Sequence, residues 1–212
     1  MLRFLTAGES HGKGLVAVLE GYPAGVNISV EKINRELLRR QVGYGRGGRM
    51  KIEKDRVEII GGVRGGKTLG SPLCFIIWNR DWENWKEVMH PMGKSSAVPL
   101  TRPRPGHADL AGIMKFLQSD IRNILERASA RETAARVAAG AVCKLFLKEL
   151  NIGILGWVEE IGGVKAEWKT LSKEEIRKRI CNSSLLTPDP QAEEEMKNVI
   201  KKAEEEGYTL GG

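Results

Sequence analysis

The sequence predicts a mixed α/β fold of the α+β kind, and three observations carry that prediction. Short runs rich in Val, Ile and Leu, bounded by glycine or proline, recur through the first eighty residues and read as strands. Small and apolar residues recur at helical spacing from Ala134 to Phe146, the clearest helix in the chain. Strands and helices intermix, and no internal repeat or low-complexity tract separates them. A chain of 212 residues, 41% of them hydrophobic, can bury a core of its own.

Taken in order, residues 2–7 and 15–19 are apolar runs that read as strands on either side of a glycine-rich loop. Residues 30–40 look helical, with Ser29 placed to cap them. Residues 41–50, QVGYGRGGRM, are glycine-rich and basic. Strands are predicted at 56–60 and 73–78, an extended proline-bearing connection at 101–106, and strand character again at 152–158. Ser172 and Glu175 have capping-box spacing. Asp189 and Pro190 open a last helix with Met196, Val199, Ile200 and Ala203 on its apolar face, stopped by Gly207. The final residues, YTLGG, read as the beginning of a strand.

A net charge of +7 points to anionic partners: phosphate esters, nucleotides, nucleic acid or acidic lipid. Cys74, Cys143 and Cys181 are scattered without metal or redox spacing and read as the reduced thiols of a cytoplasmic protein. No metal is expected. No leader-like segment and no apolar run of membrane-spanning length is evident, so no membrane association is expected either.

Two glycine motifs are decoys. GGVRGGKT, residues 61–68, fits the P-loop pattern, but Gly70 and Pro72 interrupt the helix that must begin at Lys67 and Thr68. It reads as a glycine-rich hairpin, and no ATP binding is expected. GYGRGG, residues 43–48, fits GxGxxG yet follows a predicted helix and not a strand. The surrounding basic stretch, ten Lys or Arg against four Asp or Glu from Arg35 to Lys67, includes Arg46 and Arg49 among glycines, where guanidiniums can clamp phosphate or carboxylate oxygens.

Three further stretches carry chemistry. TAGESHGKG, residues 6–14, places His11 in a loop with almost no bulk to pack, open to a ligand and able to trade protons near neutral pH. RPRPGHADLAG, residues 102–112, repeats that setting around His107, whereas His90 reads as a plain loop residue. ERASARETAARVAAGA, residues 126–141, sets Arg127, Ser129 and Arg131 just ahead of the long helix, where free N–H groups favour an anion.

With these blocks in order, the chain closely resembles the chorismate synthase family. GESHG at 8–12, RRQVGYGRGGRM at 39–50, RPGHADL at 104–110 and ERASARETAARVAAGA carry the resemblance. It implies a β-α-β sandwich, only partly represented, in which residues 1–212 are the N-terminal portion of a single domain with a variable helical insertion around 165–207. It implies a carbon–oxygen lyase of aromatic amino acid biosynthesis. The reaction is the anti-1,4 elimination of phosphate from 5-enolpyruvylshikimate 3-phosphate to give chorismate, the last step of the shikimate pathway. The cofactor implied is reduced FMN, with NADPH as a candidate reductant.

Position by position, the resemblance makes His11 the proton donor to the departing phosphate, with Ser10 in its relay. His107 stands near the flavin and protonates its reduced ring. Arg40, Arg46, Arg49 and Arg131 bind the phosphate and carboxylates of the substrate, and Arg127, Ala128 and Ser129 match a flavin-contacting segment. The family forms homotetramers whose sites are partly completed by neighbouring subunits, and no nucleic acid is called for. The chain corresponds to the family's N-terminal half or somewhat more, so the remaining flavin segments and an acidic group are expected to be missing and full activity is not expected from it alone. Phe116 stands where many relatives carry tyrosine. The alternative is a basic nucleotide- or RNA-binding module built on the Gly/Arg-rich loop, with salt-dependent binding that falls when Arg46 and Arg49 are replaced.

Overall fold

Leu15, Ala17 and Leu19 are buried while Val16 and Val18 between them are only half-buried, the alternation of a strand with one face on a core. The computed structural model describes residues 1–212 apart from 46–48, 94 and 96, and gives the backbone alone at Met50 and Lys51. It divides into two units, Met1–Arg40 with Arg49–Ile152, and Gln41–Gly48 with Gly153–Gly212.

In the first unit β1 (Arg3–Ala7) and β2 (Gly14–Glu20) lie antiparallel on either side of the His11 loop. Helix α1 (Val30–Gln41) begins where predicted, with Ser29 Oγ accepting from the Lys32 N–H at 3.2 Å. A single turn, α2 (Arg49–Ile52), precedes β3 (Val57–Gly61). The short strands β4 (Val63–Arg64) and β5 (Lys67–Thr68) form the expected hairpin. Gly65 and Gly66 in its turn have φ of 58° and 74°, as a primed two-residue turn requires. The P-loop look-alike is therefore a hairpin, with no helix at Lys67.

Strand β6 (Leu73–Trp78) completes an antiparallel sheet of order β1-β2-β6-β3. Its register pairs Ala17 with Phe75 and Leu15 with Ile77. Helices α3 (Trp82–Met89), α4 (Asp109–Phe116) and α5 (Arg122–Leu125) follow, then a 3-10 turn at Ala130–Glu132 and the long α6 (Thr133–Glu149). Ala134, Ala135 and Ala138 on α6 share one core with Leu15, Leu19, Phe75 and Ile77, and with Ile33 and Leu37 of α1. The small side chains let the helix lie close on the sheet. Tyr22 donates to the Val142 carbonyl within this core at 2.9 Å, and burial pushes its phenol up to about 12.

In the second unit β7 (Glu160–Ile161) pairs with β8 (Val164–Lys165), followed by α7 (Lys173–Asn182) and α8 (Pro190–Glu206). The capping box at Ser172 and Glu175 forms as predicted. Asp189 caps α8, and Gly207 ends it at a φ of 72°. Met196 is fully buried among Ala166, Leu185 and Ala192.

Two strand expectations are corrected. Residues 152–158 form no strand: Gly153 and Gly156 interrupt them, Ile152 and Ile154 are exposed, and no strand among the described residues pairs with them. YTLGG is likewise no strand; the Gly211 carbonyl accepts one bond, 2.8 Å, from the Gly162 N–H. Among the described residues no helix is long and apolar enough to cross a membrane.

Candidate active site

The loop between β1 and β2 can close only through glycine. Gly8 has a φ of 95°, and a Cβ there would sit 2.1 Å from the Gly14 carbonyl oxygen. Asn79, just past β6, fastens the loop from below: its Nδ2 donates to the Glu9 carbonyl at 3.0 Å and the Gly12 carbonyl at 2.8 Å. From the far side Arg127 donates to the Thr6 carbonyl at 2.8 Å and the Gly8 carbonyl at 3.3 Å. Thr6 Oγ1 donates to Glu132 at 2.6 Å. Burial works to raise the Glu132 carboxyl, and the bonds from Thr6 and Arg136 outweigh it and hold it low.

His11 is held on this loop by Glu126. Its Nδ1 lies 3.0 Å and 2.9 Å from the two carboxylate oxygens, and its backbone N–H donates to Oε2 at 2.9 Å. The Glu126 carbonyl accepts from the Ser10 N–H at 2.9 Å, so two consecutive loop residues hang on one buried glutamate. Trp85 of α3 stacks on the imidazole, with ring centroids 4.0 Å apart. On the other edge Nε2 lies 3.1 Å from Arg49 Nη1 and 3.8 Å from Asp81.

The predicted arginines divide by burial. Arg49 donates to Ser10 Oγ and to the Ser10 carbonyl, and pairs with Glu53 at 3.2 Å. Arg131 is 3% exposed and pairs with Asp55 at 2.5 Å, with its Nε donating to Asn79 Oδ1 at 2.9 Å. Arg40 reaches the same Asp55 at 3.2 Å and also donates to Thr133 Oγ1 and the Ala130 carbonyl. The structure thus brings Ser10, His11 and Arg49 together directly. Arg40 and Arg131 stand behind them, on the buried carboxylates beneath the loop. Arg46, with Gly47 and Gly48 of the GYGRGG match, lies outside the described residues.

His107 sits on a second loop. Its Nδ1 is 3.1 Å from Arg104 Nη2 and 3.1 Å from the fully buried Asp109 at the start of α4. Arg104 grips Asp109 with its backbone N–H, Nε and Nη2, each at 2.9 Å, and those bonds hold the carboxyl well below the usual carboxylate range. His90 is a loop residue as expected, accepting at Nδ1 from the Met92 N–H.

A cavity of about 490 Å³ opens between α4 and the segment that follows Glu126. Ala108, Ala111, Gly112 and Ile124 give it apolar walls, with Lys115, Phe116, Arg127 and Ala128 among its other lining residues. Two of the three predicted cofactor residues therefore face it. Ser129 is not among its lining residues and caps the 3-10 turn, accepting from the Arg131 N–H at 3.3 Å. Glu126, Asp109, Asn79 and Trp85 were not singled out as site residues from the sequence. Glu126 opens the block ERASARET, but nothing in that block marks it as the partner of a residue 115 positions away.

An imidazole oriented by a buried carboxylate, with a guanidinium at its free nitrogen and a cavity nearby, has the parts of an acid–base site for an anionic ligand. Comparisons with known proteins show the family. The chain belongs to the chorismate synthase family, whose model matches residues 2–212. It is 58% identical over 224 aligned positions to chorismate synthase of Aquifex aeolicus (strain VF5). It is 55% identical over 214 to that of Geobacter sulfurreducens (strain ATCC 51573 / DSM 12127 / PCA). Both alignments cover the whole of this chain, and 56% and 54% of the relatives. A crystal structure of chorismate synthase superimposes with a TM-score of 0.78 at 47% identity, covering all of this chain and 56% of that one. The chain thus spans about half the length of the relatives it matches. These likenesses support the enzyme reading and lend none to the basic nucleotide- or RNA-binding alternative.

Proposed function

We propose that the chain is the N-terminal part of a chorismate synthase, a carbon–oxygen lyase that eliminates phosphate from 5-enolpyruvylshikimate 3-phosphate. The observation that carries the reading is the His11 constellation, with Nδ1 on Glu126 and Nε2 beside Arg49. His11, as its imidazolium, gives its Nε2 proton to a phosphate oxygen as the ring carbon–oxygen bond breaks, and the neutral ring that results keeps its Nδ1 proton on Glu126. Arg49, bonded to Ser10 Oγ and within reach of Nε2, exchanges these partners for phosphate oxygens, with Ser10 left to relay a proton. Arg46 joins it as a second ligand. Arg40 and Arg131 act from beneath, through Asp55, to keep the loop and its charge in place for the substrate. A proton donor placed in this way contributes ~10²–10⁴-fold.

The residues around the cavity fit a flavin mononucleotide: apolar walls suit the ring system, and Lys115 and Arg127 suit the phosphate. A reduced flavin held there would supply electron density transiently while phosphate leaves and a ring proton is removed, with NADPH a candidate reductant. Arg127 and Ala128 hold it, and His107, two residues ahead of α4, serves the flavin side. A homotetramer in the cytoplasm, with helices around 165–207 as an insertion in a single domain, completes the proposal.

The test is phosphate release from 5-enolpyruvylshikimate 3-phosphate by the natural full-length protein with reduced FMN. Release is expected, and His11→Ala is expected to lower kcat by about 10²-fold or more. Wild-type turnover in His11→Ala would remove the proposed donor.

A further inference from the structure

We infer that Glu126 is the positioning residue of this site: its buried carboxylate fixes His11 in the Nδ1–H tautomer and so makes Nε2 the nitrogen that meets the ligand. The inference rests on the proposed function for its consequence in turnover, and on geometry alone for the tautomer.

An ionised carboxylate only accepts hydrogen bonds, so a ring nitrogen within 3.0 Å of both of its oxygens must carry the proton. Glu126 is 1% exposed and its orientation is set independently of the ring, because Oε2 also accepts the His11 backbone N–H and its own carbonyl accepts the Ser10 N–H. Among the described residues this carboxylate alone bonds His11 Nδ1. The ring cannot easily tilt away, since Trp85 covers one face and is itself backed by the Arg122 guanidinium, 5.7 Å from a Trp85 ring centroid. At the opposite edge the arrangement is complementary. Arg49 Nη1, a donor, lies 3.1 Å from Nε2, which is the acceptor of the Nδ1–H tautomer. The Asp81 carboxylate, an acceptor, also faces Nε2 but at 3.8 Å, beyond hydrogen-bond distance. The nearer partner at each edge of the imidazole therefore selects the same tautomer, and the donor at Nε2 stands where an anion would draw it away. The logic is that of a carboxylate that orients a catalytic imidazole without itself exchanging a proton.

The experiment reads the tautomer and the turnover separately, in the natural full-length protein. Nitrogen-15 spectra of the histidine rings, with His11 assigned through a His11→Gln variant, are recorded at a pH where the ring is neutral. The expected result is an unprotonated Nε2 in the wild type, and a mixture of tautomers in Glu126→Gln, whose amide can donate as well as accept. An Nε2–H tautomer in the wild type, or an unchanged single tautomer in Glu126→Gln, overturns the inference whatever the turnover does. With the substrate and reduced FMN, Glu126→Gln is expected to lower kcat by about 10²–10⁴-fold, with KM within about threefold of the wild type. Full turnover in that variant would also overturn it. Glu126→Asp is expected to regain part of the loss. Should the glutamine variant not fold, Glu126→Asp decides the matter: its carboxylate is withdrawn by one methylene, and a tautomer ratio unchanged there overturns the inference. A wild-type protein that releases no phosphate overturns the proposed function instead and leaves the tautomer spectra to judge Glu126.

Discussion

His11 and His107 are both met at Nδ1 by a buried carboxylate, yet their loops are fastened in different ways. The His11 loop is gripped from three sides, by Asn79 beneath, Glu126 beside and Arg127 behind, and Asn79 is in turn held by the buried Arg131. The His107 loop has one buried anchor, Asp109, reached through an Arg104 whose side chain is 47% exposed. The nitrogens differ as well. His11 Nδ1 faces only an acceptor, while His107 Nδ1 faces the Arg104 donor and the Asp109 acceptor at the same 3.1 Å. One imidazole is committed to a single tautomer; the other has partners for either. The lesson is that a histidine next to a carboxylate is not one kind of site, and the second neighbour decides.

The comparison can be broken most forcefully beneath the His11 loop. Arg131→Met keeps the volume and removes the charge, which leaves Asp55 without its closest partner; the loss of one member of a buried pair costs about 3–5 kcal/mol. Urea denaturation should show that loss as a lower midpoint. A midpoint within error of the wild type would mean that Arg131 is not what holds the loop. Next in size is a pair of glycine variants. Gly8→Ala forces a Cβ against the Gly14 carbonyl as well as straining a positive φ, for about 2–4 kcal/mol. Gly106→Ala, at a φ of 66° with nothing within 4 Å of the added carbon, should cost only about 1 kcal/mol. Equal costs in thermal melts would remove the distinction between the two loops.

A further effect shows only in acid. Asp109 is held low in the folded protein, chiefly by the hydrogen bonds of Arg104, against an ordinary value of 3.8. A depressed carboxyl favours the folded state above its unfolded value, and that contribution fades as pH falls below about 3.8. Tm of the wild type should therefore drop more steeply below that pH than Tm of Asp109→Asn. Parallel curves would separate the His107 loop from its anchor.

What could be read from the sequence was what neighbours in sequence decide. The caps at Ser29, Ser172 and Asp189, the glycine-rich hairpin within residues 61–68 and the small-residue stripe of α6 are local signals, and each forms where the sequence predicts it. Helices α3 and α4 gave no such signal for a physical reason. In α4 only Asp109 is buried, so it has no buried apolar stripe to read; in α3 Trp82, Trp85, Val88 and Met89 recur at helical spacing but are only half-buried, over a helix of eight residues. The site was half visible. Both histidines stand out because glycine surrounds them, whereas Arg131 reads as a ligand arginine because its partner Asp55 lies 76 positions away.

Residues 126, 127 and 128 are consecutive, yet the first faces an imidazole and the next two face a cavity. Such a stretch is a hinge pin of fixed length between the imidazole and the cavity. Lengthening or shortening it by a single residue would put the two out of step, even with every named side chain still present.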